Sequence, residues 1–233
     1  MVLTLILLCC AWALYNQYAN SRPRRRSTPP VTRSQVSGDA GEARVNDELR
    51  RILSQLCGSD FYVHPTALLL LHAPGTEFPT AEVDHLVVTP FGIFVIETKN
   101  WAGSIRPGRT ADLLVCHLPG GKLEERRSPI SQNRAKVAFL RGTLPATWNI
   151  QGLGVFAHDD CTLSADLPLA LVTLRDLGYW LRTQRNRHAK SGNPSINVSA
   201  AWGVVRRLSV DDPTGSALAA HRHKVAGNSS VNI

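Results

Sequence analysis

Three ionisable residues sit among strongly apolar neighbours: Asp84, Glu97 and Lys99, with Glu82 just upstream. Charged groups are rarely buried without partners, so each of these needs compensation. Two carboxylates and an ammonium suit two arrangements. A hard divalent cation such as magnesium takes oxygen ligands, commonly one or two carboxylates completed by water and phosphate. A lysine beside it would supply fixed positive charge for a phosphate or an attacking water. The plainer arrangement is an ion-pair ladder, with Glu82 on Lys99 and Asp84 solvated at a strand end. Residue types alone leave both open.

The elements that must position these groups are two β-prone runs, Val83–Val88 and Ile93–Ile96, around Thr89-Pro90-Phe91-Gly92. Val, Ile and Phe favour a pleated buried surface, and Pro followed by Gly is turn chemistry, so the stretch predicts a β-hairpin. Both strands are apolar on both faces, which predicts a covered, central place in a sheet. A loop of just Pro90-Phe91 sets Asp84 opposite Glu97 and Glu82 opposite Lys99, all on one face. A bulge at Gly92 slips the register by one and parts the carboxylates. Pro90 cannot take the positive φ of a primed turn, so the bulged form competes.

Charge is unevenly spread. The 233-residue chain carries a formal net charge of +8. Five arginines and no acidic residue precede Asp39, which leaves 21 basic against 18 acidic side chains in the remainder. The overall basicity is therefore weak support for polyanion binding by the folded part. The stretch from Thr98 to Arg141 is different, with nine Lys/Arg against three Asp/Glu. A polyanion could be held there. None of the five cysteines falls in a CxxC or Cys/His pattern with zinc spacing, which points to free thiols.

Read in order, the chain opens with an uncharged apolar run, Met1–Tyr15, extendable to Ala19. A bilayer span needs ~20 such residues. Arg22, Arg24, Arg25 and Arg26 follow it, so residues 1–19 predict an N-terminal membrane anchor with the rest on the cytoplasmic side. A cleaved signal peptide is the alternative, disfavoured because no basic residue precedes the apolar run. Residues 20–38 read as a basic Pro/Ser/Arg linker. Asp39–Leu56 has helical apolar spacing, and Glu42 lies near its buried stripe, either serving the hairpin or closing a capping box with Asp39. Ser128 and Pro129 open a helix bearing Gln132, Arg134 and Lys136. Strands are expected at 61–63, 67–72, 113–116, 153–157 and 169–173, and helices at 174–182, 195–206 and 215–224. His221 and His223 are spaced wrongly for a helical metal pair and read as surface residues.

The run Glu82-Val-Asp-His-Leu-Val-Val-Thr-Pro-Phe-Gly-Ile-Phe-Val-Ile-Glu-Thr-Lys-Asn-Trp-Ala-Gly resembles the nuclease-related (NERD) domain. Gly41-Glu42 and Ser128-Pro-Ile-x-Gln132 resemble its flanking elements, over roughly Asp39 to Tyr179 in all. That family is similar to the PD-(D/E)xK nucleases. The resemblance implies an α/β fold of the restriction-endonuclease-like kind, with a mixed central sheet whose β-hairpin carries the site and helices flanking it. It implies Asp84 and Glu97 as magnesium or manganese ligands, Lys99 as the lysine that orients or activates water, and Glu42 as a helix-borne catalytic carboxylate. Gln132, Arg134 and Lys136 would contact nucleic acid. Val83 stands where the superfamily has proline, which the chemistry does not require. The implied organisation is a nuclease-related domain over 39–182, a helical extension over 183–226 and a disordered tail over 227–233. The implied activity is membrane-tethered, metal-dependent hydrolysis of DNA, with a catalytically silent nucleic-acid-binding or assembly module as the alternative.

Overall fold

The computed structural model describes residues 33–118 and 120–229. The expected anchor, residues 1–19, lies outside the described residues, as do most of the linker and residues 230–233. Among the described residues no helix is long and apolar enough to cross a membrane.

The fold is mixed α/β. Its main sheet has five strands: β1 (Tyr62–Val63), β4 (His85–Thr89), β5 (Gly92–Lys99), β9 (Ile150–Phe156) and β11 (Leu171–Thr173), in that spatial order. β4 is antiparallel to β1 and β5, while β5–β9 and β9–β11 are parallel. The hairpin therefore occupies the interior of the sheet, as its doubly apolar strands predict. Thr89 pairs with Gly92 and Val88 with Ile93, so the loop is Pro90-Phe91 and there is no bulge. No residue of the turn takes a positive φ. Proline presets the φ of the first turn position, which allows a tight loop that is not of the primed type.

Helices cover both faces. α1 (Arg33–Cys57) and α3 (Leu177–Ser191) pack Val45, Leu49, Ile52, Leu53, Leu177 and Leu181 against Val87, Phe94, Ile96 and Val155. On the other face, α2 (Pro129–Thr143) and α4 (Val198–Arg207) pack Val137, Leu140, Ala201 and Val205 against Leu86, Val88, Ile93 and Val95. A second sheet, in the order β10 (Cys161–Leu163), β6 (Gly103–Pro107), β7 (Leu113–His117) and β8 (Leu123–Arg127), builds a smaller core around Ile105, Cys116 and Phe156. β2 (Leu68–Leu70) and β3 (Ala81–Val83) form a separate pair, and α5 (Ser216–Ser229) ends the described chain.

Several boundaries differ from expectation. α1 starts at Arg33, so the supposed linker is helical from there and Asp39 cannot cap the helix. Asn100 Nδ2 donates to Ser37 O and Oγ at 2.9 and 3.1 Å, a tertiary contact that holds the extra turns. α3 runs through Arg182, so the expected domain boundary falls inside a helix. α5 continues to Ser229, past the expected start of the tail. The first hairpin strand is broken at Asp84, and Glu82 pairs with Leu69 in the β2–β3 pair instead of facing Lys99.

Candidate metal and phosphate site

β5 alternates cleanly: Phe94 and Ile96 enter the α1/α3 core, Ile93 and Val95 the α2/α4 core. Continuing that alternation puts Glu97 and Lys99 on the α2 face, just past the apolar rows. On β4 the α2 face is lined by Val88 and Leu86. Asp84, at the break just before that strand, feels the charges of Glu97 and Lys136 on this face.

Helix α2 is brought onto this face by two glycines of β9. A Cβ on Gly154 would lie 2.6 Å from Pro129 Cβ, and one on Gly152 would lie 3.2 Å from Val137 Cγ2. Asn133 then ties helix to sheet, donating from Nδ2 to Val95 O at 2.9 Å and Leu153 O at 3.2 Å. Three residues further along α2, Lys136 reaches Glu97 of β5.

Glu97 is the centre of the cluster. It is 7% exposed, and Lys99 Nζ donates to its Oε1 and Lys136 Nζ to its Oε2, each at 2.8 Å. Burial works against ionising Glu97, but the charges and hydrogen bonds of Lys136 and Lys99 together hold its carboxyl below the usual range. Asp84 accepts the Thr98 N–H on Oδ2 at 2.8 Å, a side-chain bond at the point where the strand breaks. Burial, then the nearby Glu97 charge, pushes the Asp84 carboxyl well up, and Glu42 adds to this. Among the described residues Asp84 forms no ion pair of its own. On the opposite face His85 Nε2 lies 2.9 Å from Thr98 Oγ1, and burial lowers His85 to about 4.

Glu42 comes from α1. Gly41 permits the close approach, since a Cβ there would lie 2.9 Å from Asn100 Cβ. The Glu42 carboxyl is pushed up by burial, relieved in part by Arg222 and raised further by Glu82, Asp39 and Glu97. Glu42, Asp84, Glu97 and Lys99 are thus one electrostatic neighbourhood.

The expected nucleic-acid contacts divide. Gln132 lies one turn before Lys136, and its Oε1 is buried without a hydrogen-bond partner. Lys136 is itself 7% exposed, its ammonium directed at Glu97. Arg134 is exposed and paired with Asp112. Much of the basic stretch is likewise paired locally: Arg109 with Glu125, and Lys122 and Arg126 with Glu124. The Lys136–Glu97 contact was missed in the sequence, although the i, i+4 spacing of Gln132 and Lys136 places both on one helix face. Arg222 had no local signal at all.

The donor set fits a cation that takes few protein carboxylates. Asp84 and Glu97 are the two that would hold magnesium, which commonly takes one or two carboxylates alongside water and phosphate. Both Glu97 oxygens accept from ammonium groups. Among the described residues no group of three or more His, Cys, Asp or Glu is assembled as a metal cage. Two clefts of about 580 and 570 Å³ lie elsewhere, one beside Trp148 and Gln184, the other beside Tyr62 and Trp202. Neither is lined by the site carboxylates.

Residues 37–157 match the family model of the nuclease-related domain. No curated protein and no solved structure matches the chain.

Proposed function

The chain belongs to the nuclease-related domain family, and from that premise we propose that it is a divalent-metal-dependent nuclease hydrolysing DNA phosphodiester bonds. The observation that carries the reading is a pair of neighbouring carboxylates: buried Glu97 near the end of β5, paired with two lysines, and half-buried Asp84 just before β4, which forms no ion pair among the described residues. Asp84 and Glu97 would hold magnesium or manganese. Such an ion, when bound, supplies a polarised phosphate and a water of lowered pKa. Lys99 positions that water or balances the charge developing on phosphate. Lys136 keeps Glu97 ionised and aimed, and Glu42 adds a third carboxylate beside the pair. Gln132 and Arg134 of α2 would contact nucleic acid, Arg134 from an exposed position.

The test is cleavage of DNA by the purified chain with magnesium or manganese. Asp84→Ala and Glu97→Ala abolish cleavage while the circular dichroism spectrum is unchanged. Full cleavage by both variants overturns the assignment. A silent nucleic-acid-binding module is the second reading, favoured by the engagement of both Glu97 oxygens by ammonium groups. DNA binding without cleavage under either ion would establish it.

The membrane tether is proposed from sequence alone: an uncharged run to Tyr15 followed by four arginines between positions 22 and 26. It places the nuclease-related domain on the cytoplasmic side. Retention of the full chain in the membrane pellet after alkaline extraction supports the tether, and release into the supernatant refutes it.

A further inference from the structure

Helix α5 lies outside the segment matched to the family, and none of the chemistry proposed for the site uses it. Helices usually dock through an apolar stripe. α5 has no such stripe, and none of its side chains from Ser216 to Gly227 is fully buried. Its start is capped by Asp212, whose Oδ2 accepts the Leu218 N–H at 2.8 Å. Its later turns are attached by polar contacts. His221 Nδ1 lies 2.9 Å from Thr80 Oγ1. The Lys224 ammonium bonds the Glu77 carbonyl and stands 4.9 Å from the Phe78 ring centroid.

Arg222 is the centre of this attachment. Its Nε donates to Glu82 Oε1 at 2.9 Å. Its Nη2 lies 3.8 Å from Glu42 Oε2, and its Nη1 lies 3.9 Å from Asp39 Oδ1. A guanidinium facing three carboxylates has few donors left for a phosphate. Glu42 is close enough to Asp84 and Glu97 for their charges to repel. Arg222 therefore puts a cation on the carboxylates that flank the proposed metal ligands, where it opposes entry of a divalent ion.

We propose that α5 is an autoinhibitory cap, with Arg222 as the group that holds it over the acidic side of the site. The inference rests on the nuclease reading. Arg222 is partly exposed, and partly exposed ion pairs are worth about 1 kcal/mol or less each, so ordinary binding energy can displace the helix. Metal and substrate binding then release α5, and the closed form is the resting state.

The full chain, Arg222→Ala, Arg222→Lys and Asp84→Ala are titrated with manganese, and free ion is read by electron paramagnetic resonance. Arg222→Ala binds roughly three- to tenfold more tightly than wild type. Arg222→Lys, which keeps the charge, stays near wild type. Unchanged or weaker binding by Arg222→Ala, when Asp84→Ala has lost binding, overturns the cap and leaves the nuclease reading standing. Undiminished binding by Asp84→Ala overturns the metal assignment and the cap with it. Hydrogen exchange on the wild-type chain needs no variant to fold: manganese accelerates exchange of the α5 amides, and unchanged exchange overturns the cap.

Discussion

Asp84 and His85 are neighbours in sequence, yet they lie on opposite faces of the sheet and titrate in opposite senses. Burial lowers His85 to about 4, so the unfolded chain takes up a proton first and stability falls as pH drops from the ordinary histidine range to that value. Burial and Glu97 raise Asp84, so its contribution is fully present below the ordinary carboxylate range and is lost as pH rises through its raised folded value. At neutral pH the Asp84 charge therefore works against folding. Asp84→Asn keeps an oxygen for the Thr98 N–H and removes the charge. It is expected to stabilise the protein by roughly 1–2 kcal/mol near pH 8 and by much less near the unfolded carboxylate pKa. Thermal melts of both proteins across that range measure the gap, and a gap that widens on acidification contradicts the assignment. These charges were visible in the sequence because they interrupt apolar strands. The second partner of Glu97 was not, since Lys136 lies 39 positions beyond it.

At the scale of elements, the contact of α2 with β9 decides whether Lys136 can reach Glu97. The Gly154 position has no room for a methyl group, with Pro129 Cβ and Leu171 Cδ2 both 2.6 Å from where a Cβ would stand. Gly154→Ala is expected to cost about 1–3 kcal/mol through overpacking, read as a lower urea midpoint at unchanged slope. The start of α2 was legible because Ser128 and Pro129 are local signals. β8 was not, because Leu123-Glu-Glu-Arg-Arg has no apolar alternation and gains its place from β7 and from the ion pair of Glu125 with Arg109 in the loop between β6 and β7. The start of α1 has no local signal for the same kind of reason: Asn100, far along the chain, holds the turns before Asp39.

For the whole molecule, the proposed metal site would link ion binding to folding. An ion that binds only the folded site stabilises it by about 2.7 kcal/mol at a hundred times its dissociation constant. Magnesium or manganese is therefore expected to raise the melting temperature of the wild-type chain, and a chelator to reverse the rise and stop cleavage. Asp84→Asn is expected to lose most of that rise, having lost one of the two carboxylates proposed as ligands. An equal rise in both proteins would place the ion elsewhere.

The sequence by itself determined the hairpin and its central position, and left open two registers one residue apart. Those features follow from side-chain alternation and turn chemistry, which act over a few positions. It also singled out Asp84, Glu97 and Lys99, and the resemblance on those residues named the family. Only the tertiary structure chose the Pro90-Phe91 loop, broke the strand at Asp84, turned Lys136 onto Glu97 and laid Arg222 beside Glu42. Each of these depends on groups distant in the chain meeting across a packed face, and no local pattern encodes such a meeting.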